Sequence, residues 1–242
     1  MTKRGGRAKK GIAGRSPTRQ TAIRVKTAKR RTPASTQWLA RQLNDPYVGE
    51  AKRLGYRSRA AFKLLQLDDR FHLLRPGRRV VDLGCAPGGW TQIAVERIKP
   101  DDGRPGEGRV IGIDILAMDP VPGATIVELD FLDPGAPERL KALLAGPADL
   151  VLSDMAAPTT GHASTDHIRI VALAEAAFEF AREVLAPGGT FLCKVFQGGA
   201  EGDLLAALKR DFKTVRHAKP PASRAESAEV YVVAMGFRGR SS

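Results

Sequence analysis

A lysine stands in the middle of F-L-C-K-V-F, where every neighbour is apolar. An unpaired ammonium is expensive to bury in such a run, so Lys194 must face an acid. The chain offers two in comparable settings: Asp154 follows the nearly all-apolar L-V-L-S, and Glu229 opens the strand-like E-V-Y-V-V. A second lysine, Lys63, lies on an earlier helical stretch. Two acids and two lysines around one cavity can do proton chemistry. A desolvated lysine beside another cation has a lowered pKa and can accept a proton or stabilise a developing alkoxide, which is the help a hydroxyl needs to act as a nucleophile near neutral pH. The competing reading is a buried ion-pair network with a structural role only.

A second stretch is suited to hold a ligand. Val80 to Gln92 reads V-V-D-L-G-C-A-P-G-G-W-T-Q, a β-branched run closed by Asp82, then punctuated by Gly84, Pro87, Gly88 and Gly89 before the helical Trp90–Ile98. Such a strand, glycine turn and helix let backbone N–H groups come close to a bound molecule, because glycine has no Cβ and a new helix begins with unpaired donors. The G-x-G-x-x-G dinucleotide fingerprint is absent, since Cys85, Ala86 and Pro87 follow Gly84, and no Gly-Lys-Ser/Thr makes a Walker loop. An acid at a strand end beside a tight turn without a phosphate cradle suits a cationic, phosphate-free nucleoside, a description that S-adenosylmethionine fits. The alternative is an ordinary glycine-rich connection.

These residues need a scaffold, and the periodicity supplies one. Strand patterns fall near Arg79–Leu83, Val110–Asp114, Thr125–Leu129, Leu150–Ser153 and Thr190–Val195, with helical stretches Trp90–Ile98, Pro137–Leu144, His167–Leu185 and Leu204–Asp211 among them. Alternation at this spacing argues an α/β fold with a parallel, doubly wound sheet. Thr214–His217 and Val230–Met235 follow the last helix with only a loop between them, which places an antiparallel hairpin at one edge. Ligands bind outside the carboxyl ends of such strands, and Asp82, Asp114, Asp130, Asp154 and Lys194 all lie at those ends. Asp114 is placed to accept from ribose hydroxyls, and Asp130 to lie near an adenine amino group. Any one of them could instead cap a helix or serve a turn. Ahead of the sheet, Y-R-S-R-A-A-F-K-L-L-Q-L opens a helix with Ser58 as its cap and Arg57, Arg59 and Lys63 near its start.

Charge divides the chain. The first acidic residue is Asp45, and 13 of the 39 Lys and Arg precede it, so the net +13 resides in residues 1–44. Residues 1–36 have almost no bulky apolar side chains and cannot bury enough surface to offset chain entropy. We therefore expect a disordered basic arm over 1–44 and one folded domain over 45–242. The arm could touch RNA phosphates, act as a solubilising tail, or be an Arg-rich transit peptide, although glycines at 5, 6, 11 and 14 weaken an amphipathic transit helix. Cys85 and Cys193 sit in apolar settings and argue a reducing compartment without disulfides. No Cys/His cluster has zinc spacing, no run is apolar enough to span a membrane, and no signal segment follows the start. A soluble, cytoplasmic, metal-free monomer is the expectation.

Read together, R-S-R-A-A-F-K, D-L-G-C-A-P-G-G-W, S-D-M-A-A-P, C-K-V-F-Q-G and S-R-A-E-S-A-E-V-Y resemble the FtsJ/RlmE family of ribosomal RNA 2′-O-methyltransferases from about Tyr56 to the C-terminus. The resemblance implies a Rossmann-like methyltransferase fold, a seven-stranded, mostly parallel sheet with one antiparallel edge strand and helices on both faces. It implies a Lys63, Asp154, Lys194 and Glu229 tetrad with Lys194 as proton acceptor, and S-adenosylmethionine held at Gly88, Trp90, Asp114, Asp130 and Asp154. It further implies methylation of a uridine ribose in the A loop of large-subunit rRNA, on assembled subunits; on that reading we expect the basic arm, together with Arg57, Arg59 and Arg224, to contact phosphates. The chain departs from the family pattern in its A-A-P-T-T-G-H loop after Asp154 and in its long basic arm. Competing readings are a tRNA or mitochondrial rRNA substrate, and a catalytically dead assembly factor. The intact tetrad argues against the last, and the missing dinucleotide fingerprint argues against a dehydrogenase.

Overall fold

The computed structural model describes residues 23, 24, 27, 32–99, 108–158, 160–197 and 202–239. Seven strands form one sheet in the order β3-β2-β1-β4-β5-β7-β6: β1 (Arg79–Leu83), β2 (Arg109–Asp114), β3 (Ala124–Glu128), β4 (Ala148–Ser153), β5 (Leu185–Phe196), β6 (Phe212–Ala218) and β7 (Glu229–Phe237). β1 to β5 pair in parallel. β7 runs antiparallel to both its neighbours, inserted between β5 and β6, so β6 is the outermost strand. The strand order reverses between β1 and β4, where an open α/β sheet forms its ligand crevice.

Burial on both faces explains the nearly continuous apolar strands. On one face Val81, Ile111, Val151 and Phe191 pack under α5 (Ala136–Leu144), α6 (Ala163–Val184) and α7 (Gly202–Asp211). On the other, Val80, Val110, Leu152 and Leu192 pack under α3 (Ala61–Phe71) and α4 (Gly89–Ile98). The two-residue period then decides where the polar residues point. Leu192 puts Lys194 on the α3 side, and Tyr231, in the same cluster as Leu192, puts Glu229 there too. Lys194 is the direct cross-strand partner of Tyr231, and Phe196 that of Glu229.

Two helices precede those the periodicity predicts: α1 (Pro33–Leu43), with Thr32 accepting from the Ser35 N–H, and α2 (Pro46–Leu54), with Asp45 accepting from the Tyr47 N–H. Thr-Pro and Asp-Pro are helix-start signals. The reading of 1–44 as one unstructured arm therefore gives way at residue 33. Ile23 is tied back to α1, its N–H and C=O both bonded to the Asn44 side chain. Most of residues 1–31 lies outside the described residues.

Candidate active site

The four tetrad residues come from four elements and meet at one end of the sheet. Lys63, on the first turn of α3, reaches Glu229 at the start of β7, with Nζ 2.7 and 2.8 Å from its two carboxylate oxygens. Lys194, near the end of β5, donates to the Asp154 main-chain carbonyl at 2.7 Å and lies 3.2 Å from its Oδ1. Lys194 is 7% exposed, so both of these bonds are made away from bulk water. Asp154 itself is carried by the backbone just beyond β4, its N–H donating to the Leu83 carbonyl of β1.

Tyr231 joins the two pairs. Its hydroxyl donates to Asp154 Oδ1 at 2.7 Å and accepts from Lys63 Nζ at 3.1 Å, and its ring is fully buried. Ser223 completes the set by donating to Glu229 Oε1 at 2.7 Å. Sequence reading placed Tyr231 in a motif without giving it a role. Its signal was available, because two residues along a strand from Glu229 lies the same face.

Electrostatics follow from this arrangement. Burial pushes the Asp154 carboxyl up, but the charges of Lys194 and then Lys63, together with the Tyr231 and Lys194 hydrogen bonds, outweigh it and leave the group below its ordinary value. Burial, reinforced by the Asp154 and Glu229 carboxylates, pushes the Tyr231 phenol well above its usual range, so it remains a donor to Asp154.

The glycine turn is shaped partly by its own packing. Gly84 has φ +76°, and a Cβ there would lie 2.8 Å from Met155 Cγ and 2.9 Å from Met155 Cα. Its bareness therefore seats the Asp154–Met155 backbone. Gly88 (φ +104°) precedes α4, which starts at Gly89 with no side-chain cap bond and so leaves first-turn N–H groups for another acceptor. The Ala86–Pro87 peptide is cis. The Trp90 indole donates to the Ala60 carbonyl at 2.8 Å and packs on Tyr231, so its ring belongs to the core and only its backbone remains for a ligand.

Asp82 departs from the expectation of a ligand contact. It is fully buried, with one oxygen accepting from the Thr91 hydroxyl at 2.7 Å and the other unpartnered. Burial, only partly offset by the Thr91 bond, raises its pKa from 3.8 to about 7. The folded chain thus holds a proton that the unfolded chain releases between about pH 4 and 7, and this group's contribution to stability falls as pH rises through that window. Asp82→Asn should gain on the wild type by up to about 4 kcal/mol across the same range in denaturant melts. Parallel stability curves for the two proteins would show that Asp82 does not titrate there.

At the ends of β2 and β3 the donor set suits a nucleoside. Asp114 accepts from the Ala86 N–H at 2.8 Å and the Leu116 N–H at 2.9 Å, one bond per oxygen, which fixes the carboxylate and leaves each oxygen a further lone pair. Asp130 accepts only from Leu132 N–H through Oδ1 among the described residues. Between them Ile115, Leu116 and Leu132 are 66%, 64% and 58% exposed, an apolar surface for a planar base. Carboxylates for hydroxyls and an amine, free helix-start N–H groups and, among the described residues, no uncommitted basic clamp for a phosphate together fit the group that the glycine turn implies. Among the described residues no cluster of His, Cys, Asp or Glu is arranged for a metal ion.

The three arginines read as phosphate contacts behave differently. Arg57 is occupied: its guanidinium donates to the carbonyls of Asp119, Pro120 and Pro87, at 2.5, 2.5 and 3.4 Å, fastening the β2–β3 loop to the glycine turn. Arg59 donates to the Ala222 carbonyl and pairs with Asp45 at 3.0 Å. Arg224 lies 3.6 Å from the same Asp45 oxygen and is more exposed.

The sequence model of FtsJ-like methyltransferases matches residues 56–237. The chain belongs to that family. The same assignment accounts for the sheet order and for the tetrad motifs, all of which fall inside the matched span. Proteins named ribosomal RNA large subunit methyltransferase E are close relatives: one from Parvibaculum lavamentivorans is 64% identical over 99% of this chain and 95% of its own length. Another from Paramagnetospirillum magneticum is 67% identical over 96% of this chain and 93% of its own. A crystal structure described as a ribosomal RNA methyltransferase from Plasmodium falciparum superposes with a TM-score of 0.67 at 32% identity, covering 76% of this chain and all of that one. This FtsJ-like chain extends beyond the matched span at its N-terminus, where α1 and α2 lie.

Proposed function

We propose that this FtsJ-like protein transfers a methyl group from S-adenosylmethionine to a ribose 2′-hydroxyl of large-subunit rRNA, its target a uridine in the A loop of the assembled subunit. The observation that carries this reading is the Lys194–Asp154 pair joined through Tyr231 to the Lys63–Glu229 pair, on the same sheet as the nucleoside-suited face at the ends of β2 and β3. The names carried by relatives above 60% identity support the substrate class.

When bound, S-adenosylmethionine supplies an electrophilic methyl group. Asp114 would hold its ribose, Asp130 its adenine, and the backbone from Gly84 to Trp90 its methionine side. Lys194 Nζ receives the proton of the attacking hydroxyl. Asp154 fixes the Lys194 side chain through both its carbonyl and its carboxylate. Tyr231 holds the Asp154 carboxylate in place, Lys63 holds the Tyr231 hydroxyl, and Glu229 balances Lys63. The basic arm, Arg59 and Arg224 attract the RNA backbone, a role that Arg57 surrenders to the loop it fastens.

The reading is tested by offering labelled S-adenosylmethionine with large ribosomal subunits, free rRNA and tRNA in parallel, and mapping the modified nucleotide. Label on a large-subunit uridine 2′-oxygen is expected. Label confined to tRNA would keep the chemistry and overturn the substrate. Asp114→Ala should weaken cofactor binding by about ten- to a hundredfold in a calorimetric titration, the loss expected for hydrogen bonds to a charged group. An unchanged affinity would remove Asp114 from the cofactor site.

A further inference from the structure

Beside the tetrad, and sharing Lys63 and Glu229 with it, lies a cavity of about 370 Å³ whose other lining residues the transfer chemistry does not use. Its lining includes Arg41, Arg59, Lys63 and Arg224 against Glu226 and Glu229, four basic groups to two acidic ones. The cations are not equally available. Lys63 is spent on Glu229, and Arg59 is held by Asp45 and the Ala222 carbonyl. Arg41, on the last turn of α1, has no polar partner among the described residues, and Arg224 has only the long contact to Asp45. Asp45 accepts the α2 N-terminal bond while one of its oxygens faces both Arg59 and Arg224, so the start of α2 sets the spacing of the two guanidiniums. The loop bearing Arg224 is also fixed, by Lys219 on the carbonyls of Ala225 and Ser227 and by Gln66 on the Ala222 N–H.

We propose that this cavity is a seat for one backbone phosphodiester of the RNA, flanking the ribose that faces Lys194, with Arg41 and Arg224 as the groups that reach it. The inference rests on the RNA-substrate reading and adds to it a defined contact. Two arginines converging on one small concavity match the forked geometry in which guanidinium binds phosphate oxygens. Lys63 and Glu229 belong to both the tetrad and the cavity wall, so the seat adjoins the reaction. Arg41 and Asp45 precede residue 56, so the N-terminal helices complete a site that the matched family span holds only in part.

The test is filter binding of transcribed large-subunit rRNA across a salt series, comparing wild type, Arg41→Ala/Arg224→Ala, and a control, Lys209→Ala/Arg210→Ala, that removes the same charge from α7. The first double variant should bind about tenfold more weakly at low salt, and its slope of log affinity against log salt should shrink by about one phosphate's worth, roughly 0.7 to 0.9. The control should keep the wild-type slope. Equal losses in both variants would reveal diffuse attraction and overturn the seat, as would no loss in either. In methyl transfer to large subunits, the Arg41/Arg224 variant should raise KM about tenfold and leave kcat at saturation near wild type. A fall in kcat at constant KM would place the arginines in the chemistry instead. A wild type that transfers nothing to rRNA would defeat the proposed reaction, while the binding slopes would still decide the seat.

Discussion

Lys194→Ala is expected to lower the methyl-transfer rate by at least about a thousandfold while leaving S-adenosylmethionine affinity within about twofold of wild type. The separation follows from the architecture. Lys194 sits near the end of β5, whereas Asp114 ends β2 and Asp130 follows β3 on the far side of β1 and β4, so of the residues expected to hold the cofactor only Asp154 is bonded to the lost side chain. Asp154 keeps the Tyr231 hydroxyl and the nearby charge of Lys63, so its carboxylate is not stranded. Were Lys194 only half of a structural ion pair, its removal would leave a buried charge uncompensated at about 3–5 kcal/mol, and melting temperature and cofactor binding would fall together. Single-turnover transfer, calorimetric titration and a thermal melt on one preparation tell the two cases apart. A stable variant that binds cofactor and still turns over at wild-type rate would exclude Lys194 as the proton acceptor.

The scaffold was legible in its periodicity, and three of the four tetrad residues for a separate physical reason. A charged residue inside or just after an apolar strand is too costly to bury without a partner, so Lys194, Asp154 and Glu229 announced themselves against their neighbours. The glycine turn was legible as a turn. Its physical cause was less so: Gly84 is bare to admit Met155, a contact 71 residues away along the chain. The same limit applies to Arg57 and Asp82. Sequence shows an arginine near a helix start and an acid at a strand end, but only the packed structure shows one guanidinium spent on three carbonyls and one carboxylate sealed from solvent. α1 was hidden by its surroundings, because a run dominated by Lys, Arg, Gly and Thr overrode the Thr-Pro start signal at Thr32.

Tyr231 bonds to both ion pairs, and Tyr231→Phe removes one oxygen atom while keeping the ring that packs against Trp90. The expected result is a fall in kcat of about ten- to a hundredfold, the equivalent of losing about 1.5–3 kcal/mol of hydrogen bonding to charged groups. Stability should fall by a comparable amount, since Asp154 loses a donor and Lys63 an acceptor inside a shielded network. The pH dependence carries the sharper signature. The phenol bond is one of the interactions holding the Asp154 carboxyl below its ordinary value, so its loss moves that pKa upward. A carboxylate with a depressed folded-state pKa contributes stability above its unfolded value and loses it as pH falls through the folded one. The variant should therefore lose both activity and stability at a higher pH on the acid side than the wild type does, with the neutral plateau unshifted. Profiles that fall in step would mean that Tyr231 serves packing alone, and the two ion pairs would then act without a bridge between them.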